Sequence, residues 1–298
     1  MASLQAKEHP LAGAARRRRR GPVPAQLTLH AGLLVLLLLT LYPVISLLFL
    51  GLKNPMQWIN EPWVPTFPLR VQNFSTAWTQ ISRYLFNTVL VGVSGCAGML
   101  ILSSLTAFVF ARMRFPGREA LYYAIIALLM VPTILSLIPA FVLYKNLHML
   151  NTYWVLIIPI ATGGSVFGVF LLRTFFASLP EELFEAARID GCSVLGLYWR
   201  ICIPLSLPIL GTLAILNIVG TWNSFIWPVT TVQDDNLQVI SVGLYRLTDT
   251  LTTATGDTSG AFGPLFAGYV IGAMPLLILF LVAGKYYVQG LVSSGLKL

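Results

Sequence analysis

The sequence predicts an all-α membrane protein with six spanning helices and a short cytoplasmic helix between the fourth and fifth spans. Only 10% of the 298 residues are charged, 56% are hydrophobic, and the mean hydropathy is +0.78. A soluble domain carries about 25% charged residues, so this composition excludes that class. Six apolar runs are each long enough to cross about 30 Å of hydrocarbon, and one acidic, polar segment interrupts them.

The N-terminal segment 1–26 is polar and rich in Ala, Arg and Pro. We expect a disordered basic cytoplasmic tail there, followed by one membrane domain over residues 27–298. The net charge of +8 includes five arginines in the run Arg16 to Arg20. Arginines beside an apolar run suit anionic lipid headgroups, whereas nucleic-acid binding needs a folded basic face with interleaved aromatics. The sequence therefore predicts contact with membrane lipid and no nucleic-acid partner.

The apolar runs give six predicted spans. The first could also belong to a signal peptide, but it is longer than such segments and no small-residue cleavage site follows it. The predicted spans are about 27–52, 86–110, 120–144, 152–176, 203–227 and 265–288.

The distribution of Lys and Arg predicts that both termini are cytoplasmic. With the N-terminal tail left out, this orientation places eight of these residues inside and five outside, in agreement with the positive-inside rule. Two long loops, 53–85 and 233–264, then face outwards. The first carries tryptophans and the second is acidic. Contact with an external partner and a flexible connector at the membrane interface are equally good interpretations of each loop.

The predicted spans contain charged residues only near their ends. Ion-coupled transporters usually bury an ionisable residue at membrane depth, so the pattern argues against that class. The second span contains four small residues, Gly92, Ser94, Gly95 and Gly98. They predict that this span packs closely against a neighbouring helix. Prolines predict breaks in the third and fifth spans, namely Pro132, Pro139, Pro204 and Pro208.

The sequence offers no set of residues for catalysis. A phosphate-binding G-x-x-x-x-G-K-[S/T] motif is absent. Cys96, Cys192 and Cys202 are scattered and lack the spacing of metal ligands or of a disulfide framework. We therefore predict a non-enzymatic chain with no catalytic residues, no metal site and no cofactor of its own.

The acidic, polar segment 178–208 lies between the fourth and fifth spans. Ser178 and Glu181 have the spacing of a capping box, and a short helix is predicted from there to about Ile189. Gly191 would end that helix in a left-handed turn, and Ser193 would cap a second short helix. A helix lying on lipid carries Lys and Arg on its polar face, whereas this face is acidic. Docking onto a protein is therefore favoured over resting on lipid.

Part of this segment, Glu185-Ala186-Ala187-Arg188-Ile189-Asp190-Gly191 continuing to Ile203-Pro204-Leu205 and Pro208, resembles the EAA loop of ABC importer permeases. The resemblance extends over nearly everything after Phe86. Further segments resemble the carbohydrate-importing branch, closest to the maltose-type permease with six spans: Asn151 to Trp154, Gly220 to Pro228 and Tyr286 to Leu291. Ser224 and Cys192 depart from the usual pattern, in which an acidic residue and an alanine are expected.

The resemblance implies that the cytoplasmic helix is a coupling helix that docks onto an ATPase. It implies four partners: a second permease, two cytoplasmic ATPase subunits that bind ATP and Mg, and an external sugar-binding protein. The location would be the bacterial inner membrane. The docking residues implied are Glu185, Ala186, Ala187, Asp190 and Gly191.

Three side chains in the fifth span are candidates for the substrate path: Asn217, Trp222 and Asn223. Sugars favour an aromatic platform with amide hydrogen-bonding groups. An interfacial tryptophan and an asparagine that bonds to a neighbouring helix are at least as good an interpretation. Two other functions stay open. One is an ABC permease for another solute, such as a glycerol phosphate or a peptide, and the other is a membrane scaffold that transports nothing.

Overall fold

A computed structural model describes residues 23–255 and 258–295, which contain no strand. The all-α prediction is therefore confirmed. The chain divides into two units, Met1–Ser46 and Leu47–Leu298. Residues 1–22 of the predicted tail lie outside the described residues, and the first helix begins at Val23.

The described residues form thirteen α-helices, joined in places by short 3-10 and π turns. In chain order they are α1 (Val23–Gly51), α2 (Pro55–Asn60), α3 (Gln72–Arg112), α4 (Arg118–Ala127), α5 (Leu137–Asn146), α6 (Tyr153–Ser178), α7 (Glu181–Ile189), α8 (Val194–Leu197), α9 (Ile203–Leu205), α10 (Leu207–Trp222), α11 (Ile226–Thr231), α12 (Ile240–Thr255) and α13 (Thr258–Gly295).

Four helices, α1, α3, α6 and α13, are long and apolar enough to cross a membrane unbroken. They contain most of the first, second, fourth and sixth predicted spans. Two bent pairs of helices meet the same criteria jointly, so the described residues provide between four and six spans. Helix α3 has 41 residues and a length of about 60 Å, about twice the hydrocarbon thickness.

The third predicted span is not one straight helix. The segments Arg118–Met130 and Thr133–Asn146 meet at 95°. Pro132 lies at the break, and the residue before it, Val131, is extended at φ −83° and ψ 117°. A proline disfavours helical geometry in the preceding residue and donates no backbone hydrogen bond, which explains the bend.

The fifth predicted span is also broken. The segments Val194–Leu205 and Leu207–Trp222 meet at 75° around Ser206. Pro208 lies in the first turn of α10, where its missing N–H costs nothing, and the Ser206 hydroxyl donates to the carbonyl of Cys202 at 2.6 Å. The continuous helix starts at Leu207 rather than at Ile203, and it ends at Trp222 rather than at Trp227.

Helices α3 and α6 form the most extensive helix pair of the second unit. Glycines make this approach close, as the small residues predicted. A Cβ on Gly98 would lie 2.9 Å from that of Ala161, and one on Gly168 would lie 2.6 Å from that of Ser103. Both distances are too short for real side chains, so α3 and α6 pack backbone to backbone at these points.

The two long loops are more ordered than flexible connectors. In the first, Asn54 and Gln57 form a capping box that starts α2, and α3 is already helical from Gln72. In the second, α12 covers much of 233–264 and packs on α3 and α13. Helix α12 was not predicted because its polar residues mask the apolar pattern in the sequence. Its apolar face, which includes Ile240 and Leu247, is buried.

Candidate functional site

Helix α7 buries one large side chain, and most of its other residues are exposed on the surface of the chain. Phe184 is fully buried in a cluster that includes Phe108 of α3 and Phe176 of α6. Ala187 packs against the edge of that cluster. The remaining residues of α7 are exposed, and Ile189 keeps 86% of its surface free. The helix therefore leaves most of its surface exposed in this chain.

The turn after α7 has the geometry of a Schellman cap. The amide of Gly191 donates to the carbonyl of Arg188 at 3.0 Å, and that of Cys192 donates to the carbonyl of Ala187 at 2.9 Å. Gly191 has φ +79°, a left-handed conformation that favours glycine. This outcome confirms the expected glycine turn.

The predicted capping box at the start of α7 is wrong. Ser178 is still part of α6, and its hydroxyl donates to the carbonyl of Phe175 at 2.8 Å. The residue before α7 is Pro180, which makes no side-chain cap. Glu181 instead pairs with two arginines, Arg112 at 2.5 Å and Arg188 at 3.1 Å. The spacing was right for a box, but α6 continues through the position that the cap would need.

The second half of the segment follows the prediction more closely. Ser193 accepts a hydrogen bond from the amide of Gly196 at 3.2 Å and so caps α8. Tyr198 is buried, and its hydroxyl lies 2.7 Å from that of Ser104 on α3. The segment 178–208 is therefore fastened to α3 through both of its halves.

The structure brings four of the five candidate docking residues to the exposed surface: Glu185, Ala186, Asp190 and Gly191. The fifth, Ala187, is half-buried. Glu185 and Asp190 make no ion pair within the described residues. Their charges are available to a basic partner. A polar cleft of about 540 Å³ lies beside Glu185, lined by Ala111, Arg112, Arg114, Arg118, Glu181, Glu185 and Arg188.

The three candidate substrate residues do not share one cavity. Asn223 follows the last turn of α10 and lines a cleft of about 550 Å³. Trp222 lines a separate cavity of about 190 Å³, and its indole N–H donates to the carbonyl of Gly272 on α13 at 3.2 Å. Asn217 lies near Gly164 of α6, and its buried Oδ1 has no hydrogen-bond partner among the described residues.

The cleft at Asn223 lies where two broken helices face each other. One wall is the break after Pro132, which contributes Thr133 and Ser136, and the other is the unwound turn between α10 and α11, which contributes Ser224. Trp227 completes the second wall, and its indole N–H donates to the carbonyl of Val155 at 2.8 Å. The cleft thus combines hydroxyl, amide and aromatic groups with apolar side chains such as Ile134, Leu137 and Pro159. Among the described residues, no charged side chain lines it.

The Asn151–Trp154 motif closes the end of the bundle away from α7. Asn151 Oδ1 accepts the amide of Gln233 at 2.5 Å, and the hydroxyl of Tyr153 donates to Asn87 Oδ1 at 2.8 Å. The amide of Asn87 in turn donates to the carbonyls of Asn236 and Gln238, each at 2.8 Å. These bonds tie α3, α6 and the segment before α12 together.

Sequence reasoning missed Arg112, Thr133 and Ser136. Arg112 counted only as one positive charge on the inner side, and its role depends on helices that are far away in sequence. Thr133 and Ser136 directly follow Pro132, so the predicted break was the available signal for them. No cluster of His, Cys, Asp or Glu able to hold a metal occurs in 23–255 or 258–295.

Residues 73–292 match the family model described as the binding-protein-dependent transport system inner membrane component. Three relatives match over most of their length. The probable ABC transporter permease protein YurM of Bacillus subtilis is 35% identical over 257 residues, which cover 86% of this chain and 83% of the relative. The diacetylchitobiose uptake system permease protein NgcG of Streptomyces coelicolor is 31% identical over 268 residues, 89% and 87% of the two chains. The sn-glycerol-3-phosphate transport system permease protein UgpE of Yersinia pestis is 28% identical over 275 residues, 89% and 95%.

A solved structure shares the fold. A chain of a bacterial ABC transporter involved in the import of the acidic polysaccharide alginate aligns with a TM-score of 0.79 at 21% sequence identity. The alignment covers 89% of this chain and 96% of that chain.

Proposed function

Because the chain belongs to the family of binding-protein-dependent transport system inner membrane components, we propose that it is the permease subunit of an ATP-driven importer of neutral sugars. The observation that carries the coupling part is the exposure of the loop Glu185 to Gly191 on a helix anchored by the buried Phe184. An anchored helix with free charges suits a partner that pushes on it.

The proposed complex contains a second permease, two cytoplasmic ATPase subunits and an external sugar-binding protein. ATP and Mg are bound by the ATPase subunits, because this chain has no phosphate-binding loop. ATP binding would close the ATPase pair and move α7, and this energy would shift the permease between inward-facing and outward-facing states. The chain therefore contributes no catalysis of its own.

The topology that this function requires has six spans, with each bent helix pair counted as one, and both termini in the cytoplasm. Segment 178–208 then faces the ATPase. Cysteine labelling tests this orientation. In a background where Cys96, Cys192 and Cys202 are replaced by serine, Met113→Cys, directly after α3 and outside the proposed docking helix, should react with a membrane-impermeant maleimide only after the cells are opened. Trp63→Cys should react in intact cells, since Trp63 is 76% exposed in the outer loop.

The cleft at Asn223 is the proposed place of substrate passage through this chain. Hydroxyl and amide groups beside an aromatic ring suit a neutral sugar, whereas a phosphate ester would call for Lys or Arg, and neither lines the cleft among residues 23–255 and 258–295. Asn223→Ala should therefore lower uptake. Asn60→Ala, at the exposed end of α2, is the matched control that should not.

Trp222 and Asn217 are candidates either for the substrate path or for packing between helices. The indole N–H of Trp222 already donates to the carbonyl of Gly272, so Trp222→Phe removes that hydrogen bond but keeps an aromatic ring. If Trp222→Ala and Asn223→Ala both leave uptake unchanged, the substrate assignment should be dropped.

Two other functions remain to be distinguished: a permease for another solute, such as a glycerol phosphate or a peptide, and a scaffold that transports nothing. Purification of the native complex separates them. A sugar importer should copurify with an ATPase, a second permease and a binding protein that retains a neutral sugar. A binding protein that retains a phosphate ester would show that the substrate is a phosphate ester and not a neutral sugar. A complex without any ATPase would refute the transport function.

A further inference from the structure

Arg112, the last residue of α3, contacts the ends of two other helices with one guanidinium group. Its Nη2 donates to the carbonyl oxygens of Phe176 and Leu179 at 2.6 and 2.7 Å. These carbonyls lie at the C-terminal end of α6, where backbone oxygens carry partial negative charge; that of Phe176 also accepts the amide of Leu179 at 3.3 Å. Nη1 donates to the carboxylate of Glu181, the first residue of α7, at 2.5 Å.

The guanidinium also packs on the anchor of α7. Its central carbon lies 3.9 Å from the centroid of the Phe184 ring. Only 8% of the Arg112 side chain is exposed, so its contacts with the two carbonyls and the ring are sheltered from solvent, whereas the Glu181 carboxylate is half exposed. Sheltered, multidentate arginine contacts are stronger and more directional than surface ion pairs. The neighbouring pair of Arg188 and Glu181 is about half exposed on both sides and is of the weaker kind.

The connection between α6 and α7 is short and non-helical. Leu179 has φ −69° and ψ 140°, and Pro180 has φ −56° and ψ 132°. No helical hydrogen bond crosses this joint, so rotation about these two residues would change the angle between the helices. Arg112 contacts the chain on both sides of the joint, from a third helix. Phe184 fixes where α7 lies, whereas the guanidinium fixes the direction in which it points.

We propose that Arg112 is a positioning residue that locks α7 to α3 and α6, so that a displacement of α7 moves both long helices together. The inference rests on the proposed coupling function. Without the lock, α7 would still be held by Phe184 and could still meet the ATPase. Its movement would then be absorbed by rotation at Leu179 and Pro180 rather than transmitted to the spans.

The test is made on the complete complex in lipid vesicles, with sugar uptake and ATP hydrolysis measured together. Arg112→Gln should keep the subunits assembled and hydrolysis within about twofold of the unmodified complex. The amount of sugar moved per ATP should fall at least about tenfold, a loss of about 1.4 kcal/mol in coupling. Arg70→Gln is the matched control, since it removes the same charge from an exposed position between α2 and α3, away from the polar cleft, with no ion pair among the described residues.

Arg112→Lys provides a milder change if the glutamine variant does not assemble. An ammonium group can meet Glu181 or a carbonyl, but it cannot reproduce the planar fork and the contact with the ring. We expect intermediate uncoupling. Uptake per ATP unchanged in both variants, or lowered equally by Arg70→Gln, would overturn the inference. So would losses of uptake and hydrolysis that simply follow a loss of assembly. An unmodified complex without ATP-dependent uptake would instead refute the proposed function.

Discussion

The left-handed turn at Gly191 allows the coupling hypothesis to be tested through the backbone alone. A Cβ on this residue would meet nothing within 4 Å, so a substitution introduces no clash. Its φ of +79° is nevertheless strained for any residue with a side chain, at a cost of roughly 1–2 kcal/mol. Gly191→Val should therefore lower the equilibrium constant for forming the capped turn by a factor of about 5–30.

If only the capped turn docks, sugar uptake should fall, by up to about 5–30-fold, while the amount of protein in the membrane is unchanged. Asparagine tolerates left-handed geometry better, so Gly191→Asn should lose less. Uptake would be measured in vesicles at saturating ATP, with membrane content by immunoblot. The loss is expected at the transport step because Gly191 lies outside every buried cluster of the described residues.

The chain contains a matched control at Gly117. This residue has the same φ of +79°, and a Cβ there would also meet nothing within 4 Å, but it lies before α4 rather than after α7. Gly117→Val therefore imposes the same backbone strain at a different turn. Full uptake in Gly191→Val, or an equal loss in Gly117→Val, would refute the reasoning.

Two further predictions concern stability and can be read from thermal unfolding of the purified complex. Phe184→Ala should lower the free energy of unfolding by about 3–5 kcal/mol because the side chain is fully buried. Leu183→Ala, whose side chain is 45% exposed, should lower it far less. Equal shifts in Tm would contradict the anchoring of α7. Gly168→Ala should destabilise the pair α3–α6 by about 1–3 kcal/mol, because the new methyl group would clash with Ser103. Gly163→Ala on the same helix is the control, since a Cβ there meets nothing within 4 Å. A Gly168 variant as stable as that control would disprove the close packing.

The long apolar helices were predictable because each carries its signal in its own residues. Length and hydropathy located α3 and α6, and glycines indicated their close approach. The bends were predicted only as breaks. Pro132 predicts that the helix ends there, but the 95° angle between the two halves depends on how each of them packs on other helices.

The candidate site was predictable to the extent that it is local. Gly191 and Ser193 behave as their own sequence context indicates, because turns and caps depend on neighbours within a few residues. Arg112 could not be found in this way, since its partners at 176–181 are brought to it by the packing of α3 on α6. The sequence also did not predict that Trp222 and Asn223 line different cavities. Helix α10 ends between these two adjacent residues, so their side chains point in different directions.

Site-specific photocrosslinking in native membranes tests the central claim that α7 meets an ATPase. A photoreactive amino acid would replace Ile189, which is 86% exposed beside the docking residues and is not one of them. A second would replace Met56 of α2, which is 68% exposed in the loop proposed to lie outside. We predict an adduct with a cytoplasmic ATPase subunit from position 189 and none from position 56. The absence of an ATPase adduct at position 189, or its formation from position 56, would contradict the account.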